Sequence, residues 1–205
     1  SVVSQGLQGP AGSMGLAITN PNTTYILPGA EDTPPDTPAG HELTFIREIA
    51  EQTSQYGAAI RTAAGKGKNL STMYPTAGTN SLADQMKIVA QLISGGLRTG
   101  VYVVSLGGFD THAGQTVVGA TDTGTHATLL GRISAAIAAF MNDAALQGFQ
   151  DRVLGLTFSE FGRRIKSNAR VGTDHGAAAP LFVFGSGVNG GVVGNNPVLP
   201  AAATA

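Results

Sequence analysis

The sequence predicts an α/β fold, a mixed and mostly parallel sheet flanked by helices. Segments of helical period at 41–64, 81–94 and 125–147 alternate with short apolar runs at 101–106, 152–158 and 180–185. That alternation is the signature of layered α/β architecture. The apolar runs lack polar residues in every second place, as strands buried on both faces do. A long helix joins the first two runs, which predicts a parallel pair with a right-handed crossover. The connection from the second run to the third has no helical period and suits an antiparallel return.

Each element has its own local reason. Residues 1–40 are rich in Gly, Pro, Asn, Thr and Ser, and Pro34, Pro35 and Pro38 interrupt regular structure. They read as an irregular N-terminal arm, with one α/β domain over 41–205. In the first helix Ile46, Ile49, Thr53, Tyr56, Ile60 and Ala63 recur at steps of three and four, until Gly65-Lys66-Gly67 ends it. Asn80 or Ser81 caps the second, Leu82, Met86, Val89 and Ile93 form its stripe, and Gly95-Gly96 stops it. The third helix turns Leu130, Ile133, Ile137, Phe140 and Ala144 to the core and stops at Gly148. The tail after 186 reads as irregular.

Composition excludes several classes. The 205 residues carry 12 Lys and Arg against 13 Asp and Glu, a net charge of −1. With no basic run longer than Arg163-Arg164, the chain has no stripe for nucleic acid. Charged residues are 12%, about half the usual ~25%, and hydrophobic residues are 42%, which argues against a solvated disordered chain. No apolar run approaches ~20 residues, so no transmembrane segment is expected. Without cysteine there are no disulfides and no thiolate metal sites.

The chemistry concentrates in two loops that the topology places at one sheet edge, where α/β proteins bind ligands. One holds Gly107-Gly108-Phe109-Asp110-Thr111-His112, with Gln115 beyond. The other holds Ser159-Glu160-Phe161-Gly162-Arg163 and Gly172-Thr173-Asp174-His175-Gly176. Two of the four histidines stand beside or near an aspartate in these clusters. Carboxylate oxygen and imidazole nitrogen bind divalent ions at about 2.0–2.2 Å. Asp110, Glu160 and Asp174 gathered at one edge need a counter-charge, which a cation supplies. Arg163 offers positive charge, or a two-pronged hydrogen bond to a tetrahedral oxyanion. Plainer readings exist for each: a turn capped by Asp110, Glu160 paired to Arg163 or Arg164, and a loop clasp at Asp174-His175. His126 and His41 read as structural. Ser159 lacks both a nucleophile elbow and an activating triad.

In this order and spacing the three clusters resemble the C-terminal half of a bacterial domain-of-unknown-function family assigned to the alkaline phosphatase/sulfatase superfamily. Tyr74-Pro75, the stretch from Leu82 to Ala90 and Gly185 to Gly194 extend the likeness over roughly 40–200. The resemblance implies an alkaline phosphatase-like sheet with one or two metals at its edge. It assigns Asp110, His112, Glu160 and Asp174 or His175 as ligands to a divalent ion such as Zn, Mn, Ca or Mg. Glu160-Phe161 stands where better-studied members have Asp-His, and Asp110 and His112 are more closely spaced than there. The resemblance also implies a periplasmic or exported protein. The expected function is hydrolysis of a small anionic phosphate or sulfate ester, with Arg163 stabilising charge. The nucleophile is expected in a missing N-terminal half, so the chain alone should turn over little. The alternative is a non-catalytic exported binding or assembly module whose loops form a clasp.

Overall fold

A computed structural model describes residues 16–23, 33–195 and 198. Its contacts divide the chain into one unit of residues 1–68 and 88–101 and another of 69–87 and 102–205. The described portion is a mixture of helices and small antiparallel sheets.

The first unit is built on helix α1, Pro38–Lys66. It starts three residues before the predicted 41, because Thr37 accepts the Gly40 N–H at 3.1 Å and Pro38 at the first position has no N–H to lose. Most of the predicted arm lies outside the described residues, and 38–40 belong to this helix. Ile60, Ala63 and Ala64 are buried, together with Ala90 and Leu92 from the second half of helix α2, Ser81–Ser94. The predicted stripe holds only in the C-terminal part of α1. Ile46 is exposed, as are Leu43 and Phe45, and the Ile49 side chain lies outside the described set. The two helix ends approach closely. Gln91 Nε2 donates to the Ala64 carbonyl at 2.8 Å, and Ser94 Oγ to that of Lys68 at 3.1 Å. A Cβ on Gly95 would fall on the Ala63 carbonyl oxygen, which has no flexible end to yield. Gly95→Ala is therefore expected to cost about 1–3 kcal/mol, as overpacking does. Urea unfolding checks this, and an unchanged midpoint would contradict the close crossing.

The second unit takes Leu82, Ala83 and Met86 from the first half of α2 and packs its core around helix α3, Thr125–Leu146. Asn80 caps α2, accepting from the Ala83 N–H at 3.3 Å while its amide donates to the Arg132 carbonyl at 2.8 Å. The buried stripe of α3 is Leu129, Ala136, Ala139, Phe140, Asp143 and Ala144, and Phe149 closes on Phe140 at 6.3 Å between centroids. Burying an aromatic or leucine side chain contributes about 1.5–3 kcal/mol. Leu130 of the predicted stripe is instead exposed, with Ile133 and Ile137 half-buried. The helix is rotated toward its alanines, which permit closer packing than branched residues. Gly148 ends it as predicted, with φ of 73°. By length and composition alone α3 is apolar enough to cross a membrane, a criterion that the core helix of a soluble protein also meets. Here it supplies the core of this unit.

Strands β1, Gly155–Leu156, and β4, Val183–Phe184, pair antiparallel, the predicted return. Strands β2, Gly162–Arg163, and β3, His175–Gly176, form a second antiparallel pair with Arg163 opposite His175. β1 and β4 are shorter than the predicted runs 152–158 and 180–185, and β2 and β3 lie in the stretch 159–179 that was expected to be loop. No parallel pair occurs among the described residues, and 101–106 is not a strand. The Gln85 side-chain amide takes the place of a strand partner there, donating to the Ser105 carbonyl at 2.8 Å and accepting its N–H at 3.0 Å. The predicted burial on both faces fails too. Leu154, Leu156, Phe158, Leu181 and Val183 are exposed because a two-stranded ribbon has no second layer over its faces, and Val101 and Val103 are exposed in a segment that is not a strand.

Candidate metal centre

The two loops singled out in the sequence meet. Gly114 N–H donates to the Arg170 carbonyl at 3.0 Å, Gln115 N–H to that of Val171 at 2.9 Å, and Thr173 Oγ1 to Gln115 Oε1 at 2.7 Å. The first loop presents Asp110 and His112 around a buried Thr111. The Thr111 N–H turns back onto the Phe109 carbonyl at 2.9 Å, a tight turn centred on Asp110 that brings the Asp110 and His112 side chains together. His175 arrives on β3.

Asp110 Oδ1 is the meeting point. It lies 2.8 Å from His175 Nε2 and 3.1 Å from His112 Nε2. One ligand atom from each of the three residues lies within 4.8 Å of the others. Ligands at about 2.0–2.2 Å from an ion stand roughly 3.0–3.5 Å from one another in octahedral or tetrahedral geometry. The two spacings to Asp110 are close to that edge. The three side chains are about half exposed, so the centre opens to solvent.

The other face of His112 decides its chemistry. Its Nδ1 lies 3.0 Å from Asp174 Oδ1. Ionised carboxylates only accept, and a neutral imidazole has a single N–H. A neutral His112 therefore cannot donate to Asp174 and Asp110 at once. With its proton on Nδ1, its Nε2 lone pair faces the Asp110 oxygen, a repulsive contact that is relieved either by a cation between them or by a second ring proton that lets His112 donate to both carboxylates. Carboxylate, histidine and cation in that order is how proteins orient metal-binding imidazoles. Two imidazoles and one carboxylate fit a divalent transition ion.

Both aspartates hold their charge to lower pH than an ordinary carboxyl does. The hydrogen bond from His175 holds Asp110 below the usual carboxylate range, helped by the charges of His112, His175 and Arg163 against partial desolvation. Asp174 is lowered first by its bond from His112, then by Asn168.

The aromatic groups fix the ring planes. Phe161 stacks on His175 at 4.0 Å and 8°, and His112 stacks on the other histidine at 4.9 Å. The Arg163 guanidinium lies 5.0 Å over Phe161. Arg163 is 3.6 Å from Asp110, and its two Nη atoms donate to the Phe109 and Thr173 carbonyls. The group offered from sequence to an oxyanion here ties the two loops together.

Among the described residues Glu160 is exposed and is not one of the converging ligands. Asp174 stands on the outer nitrogen of His112, whereas His175 faces the shared point. His126 stays on α3 with its ring edge to Phe109 at 6.0 Å. Asn168 is a site residue that sequence reasoning missed. Its one signal is turn chemistry, an Asn four residues before a Gly.

A family described as a protein of unknown function, DUF1501, matches residues 39–205. No curated protein and no solved structure matches the chain.

Proposed function

The chain belongs to the DUF1501 family of unknown function, and we propose that it forms part of a metal-dependent hydrolase of phosphate or sulfate esters. In this reading Asp110, His112 and His175 hold a divalent ion, and Asp174 orients His112 through Nδ1. The single observation that carries it is the aim of His112. Its outer nitrogen is engaged by Asp174 while its inner nitrogen points where Asp110 and His175 converge. When bound, the ion would polarise an ester oxygen and lower the pKa of attacking water.

The remaining roles fall to this chain's own side chains. Arg163 and Phe161 lock the loops and the His175 ring. Arg163, Arg164, Lys166 and Arg170 place four cations within one short segment that has no acid. That local field favours an anionic substrate, although the chain as a whole is near neutral. The alkaline phosphatase/sulfatase-like sheet, the exported location and the ester substrate belong to this proposal. Solvent exposure of the three ligands suits a centre that must admit substrate.

The test is hydrolysis of aryl phosphate and aryl sulfate by the protein carrying this chain, supplied with Zn or Mn. Metal-dependent turnover that is lost in His175→Ala is expected. Equal rates in the two proteins, or with and without metal, would overturn the hydrolase reading. The clasp reading draws on a specific observation as well, since every histidine and aspartate of the centre already pairs within the protein. Protein that keeps the loops folded and takes up no metal would establish it instead.

A further inference from the structure

We propose that Asn168 is a positioning residue of the metal centre, holding His112 and Asp174 in the relation that makes His112 a ligand. This rests on the metal reading above. Asn168 lies in the turn between β2 and β3 and contacts the centre with both hydrogens of its amide. Nδ2 donates to the His112 carbonyl at 2.9 Å and to Asp174 Oδ1 at 3.3 Å. Oδ1 accepts the Arg170 N–H at 2.9 Å and the Gly172 N–H at 3.2 Å.

All four hydrogen-bonding positions of the side chain are thus engaged, and the orientation of the amide is determined. A flipped amide would set N–H donors against two backbone N–H groups and its oxygen against a carbonyl and a carboxylate. The neighbouring contacts serve the same end. Asn168 N–H donates to the Gly172 carbonyl at 2.8 Å, closing a tight turn in which Val171 has φ of 57°. A Cβ at Gly172 would collide with the His112 backbone. The turn therefore grips His112 by its backbone through Asn168 and Gly172, and by its ring through Asp174. Among the described residues Asn168 is the side chain that hydrogen-bonds both the ligand residue and the carboxylate that orients it.

Other residue types fail for stated reasons. Alanine keeps none of the four bonds. Aspartate has the same shape and keeps the oxygen that closes the turn. Its second oxygen, however, faces the His112 carbonyl and the Asp174 carboxylate with no hydrogen to give. Asn168→Asp therefore reverses the contacts to the centre while sparing those of the turn.

The experiment measures Zn and Co affinity by calorimetry, and the visible spectrum of the Co-loaded protein, for the wild type, N168A, N168D and H112A. Circular dichroism checks the fold of each. Loss of an outer contact to a metal-binding histidine costs roughly 10–100-fold in affinity. N168A and N168D should both weaken metal binding in that range and change the Co spectrum, while remaining folded. Wild-type affinity and spectrum in both variants, with binding lost in H112A, would overturn the role of Asn168 alone. Unchanged metal binding in H112A would overturn the underlying metal reading. An unfolded N168D would show that Asn168 holds the fold and not the centre, which also overturns the proposal.

Discussion

His112→Ala and His175→Ala are each expected to abolish stoichiometric binding of a divalent ion, with affinity falling by about 100-fold or more. That exceeds the roughly 10–100-fold typical of losing an outer contact, because each substitution removes one of the three ligand atoms that converge among the described residues. The effect follows from the geometry at Asp110 Oδ1. With one imidazole gone, a nitrogen and an oxygen remain, too few to compete with water for the ion. Asp174→Asn should be milder, since it weakens the orientation of His112 without removing a ligand. Glu160→Gln and His126→Ala serve as controls and should leave binding unchanged, as neither group reaches the centre. Elemental analysis of purified protein, followed by titration with Zn, measures all five. Unchanged metal content in both histidine variants would remove the metal reading, and with it the hydrolase.

What the residue pattern revealed, and what it concealed, follows from the range of each interaction. Helix α2 spans 81–94 as predicted because its periodicity, its Asn80 cap and Gly95-Gly96 are local signals. The antiparallel return of 183–184 onto 155–156 was legible from a connection with no crossover helix. The segment 101–106 misled because β-branched apolar residues favour extended backbone without specifying a partner, and the Gln85 amide occupies Ser105. An unbroken apolar run likewise reports a preference for burial but not whether covering layers exist, so the exposure of Leu154, Leu156 and Phe158 was invisible. In the centre, the residue types announced the loops. The division of labour between Asp174 and His175 depends on which imidazole nitrogen each one reaches, and no spacing rule supplies that. Asn168 was hidden because its partners are mostly backbone atoms, which every sequence has.

Asp143 was hidden for the opposite reason, since it occupies a place where the helical stripe asks for an apolar residue. It is fully buried on α3. Its Oδ1 accepts from the Leu70 N–H at 2.7 Å, the Ser71 N–H at 3.2 Å and Gln147 Nε2 at 2.9 Å. Its Oδ2 accepts from Asn69 Nδ2 at 2.9 Å. One carboxylate thereby fastens the 69–71 segment to the helix. Burial pushes its pKa up, but the Leu70 N–H, the Asn69 and Gln147 amides and the Ser71 N–H outweigh burial, so it lies below the usual carboxylate range. Nearby Tyr74 is driven the other way, first by burial and then by the Asp143 charge, and stays neutral.

Asp143→Ala strands two backbone donors and two amides, and should cost about 3 kcal/mol, a lowering of the unfolding temperature by about 6–12 °C in a chain of this size. Asp143→Asn keeps one acceptor oxygen but turns an NH₂ group toward a donor, and should cost about 1–3 kcal/mol. The pH dependence has a definite sign. A carboxyl lowered in the folded state stabilises the fold above its unfolded pKa of about 3.9, and that stability is lost as pH falls through the folded value. The wild type should therefore lose stability below about pH 4 more steeply than either variant, and the gap between them should narrow in acid. Urea unfolding at pH 7 and at pH 3 measures both effects. Equal midpoints for wild type and Asp143→Ala at neutral pH would show that the 69–71 segment is held by something other than this carboxylate. A gap that widened in acid would show that the charged form of Asp143 is not the one the fold prefers.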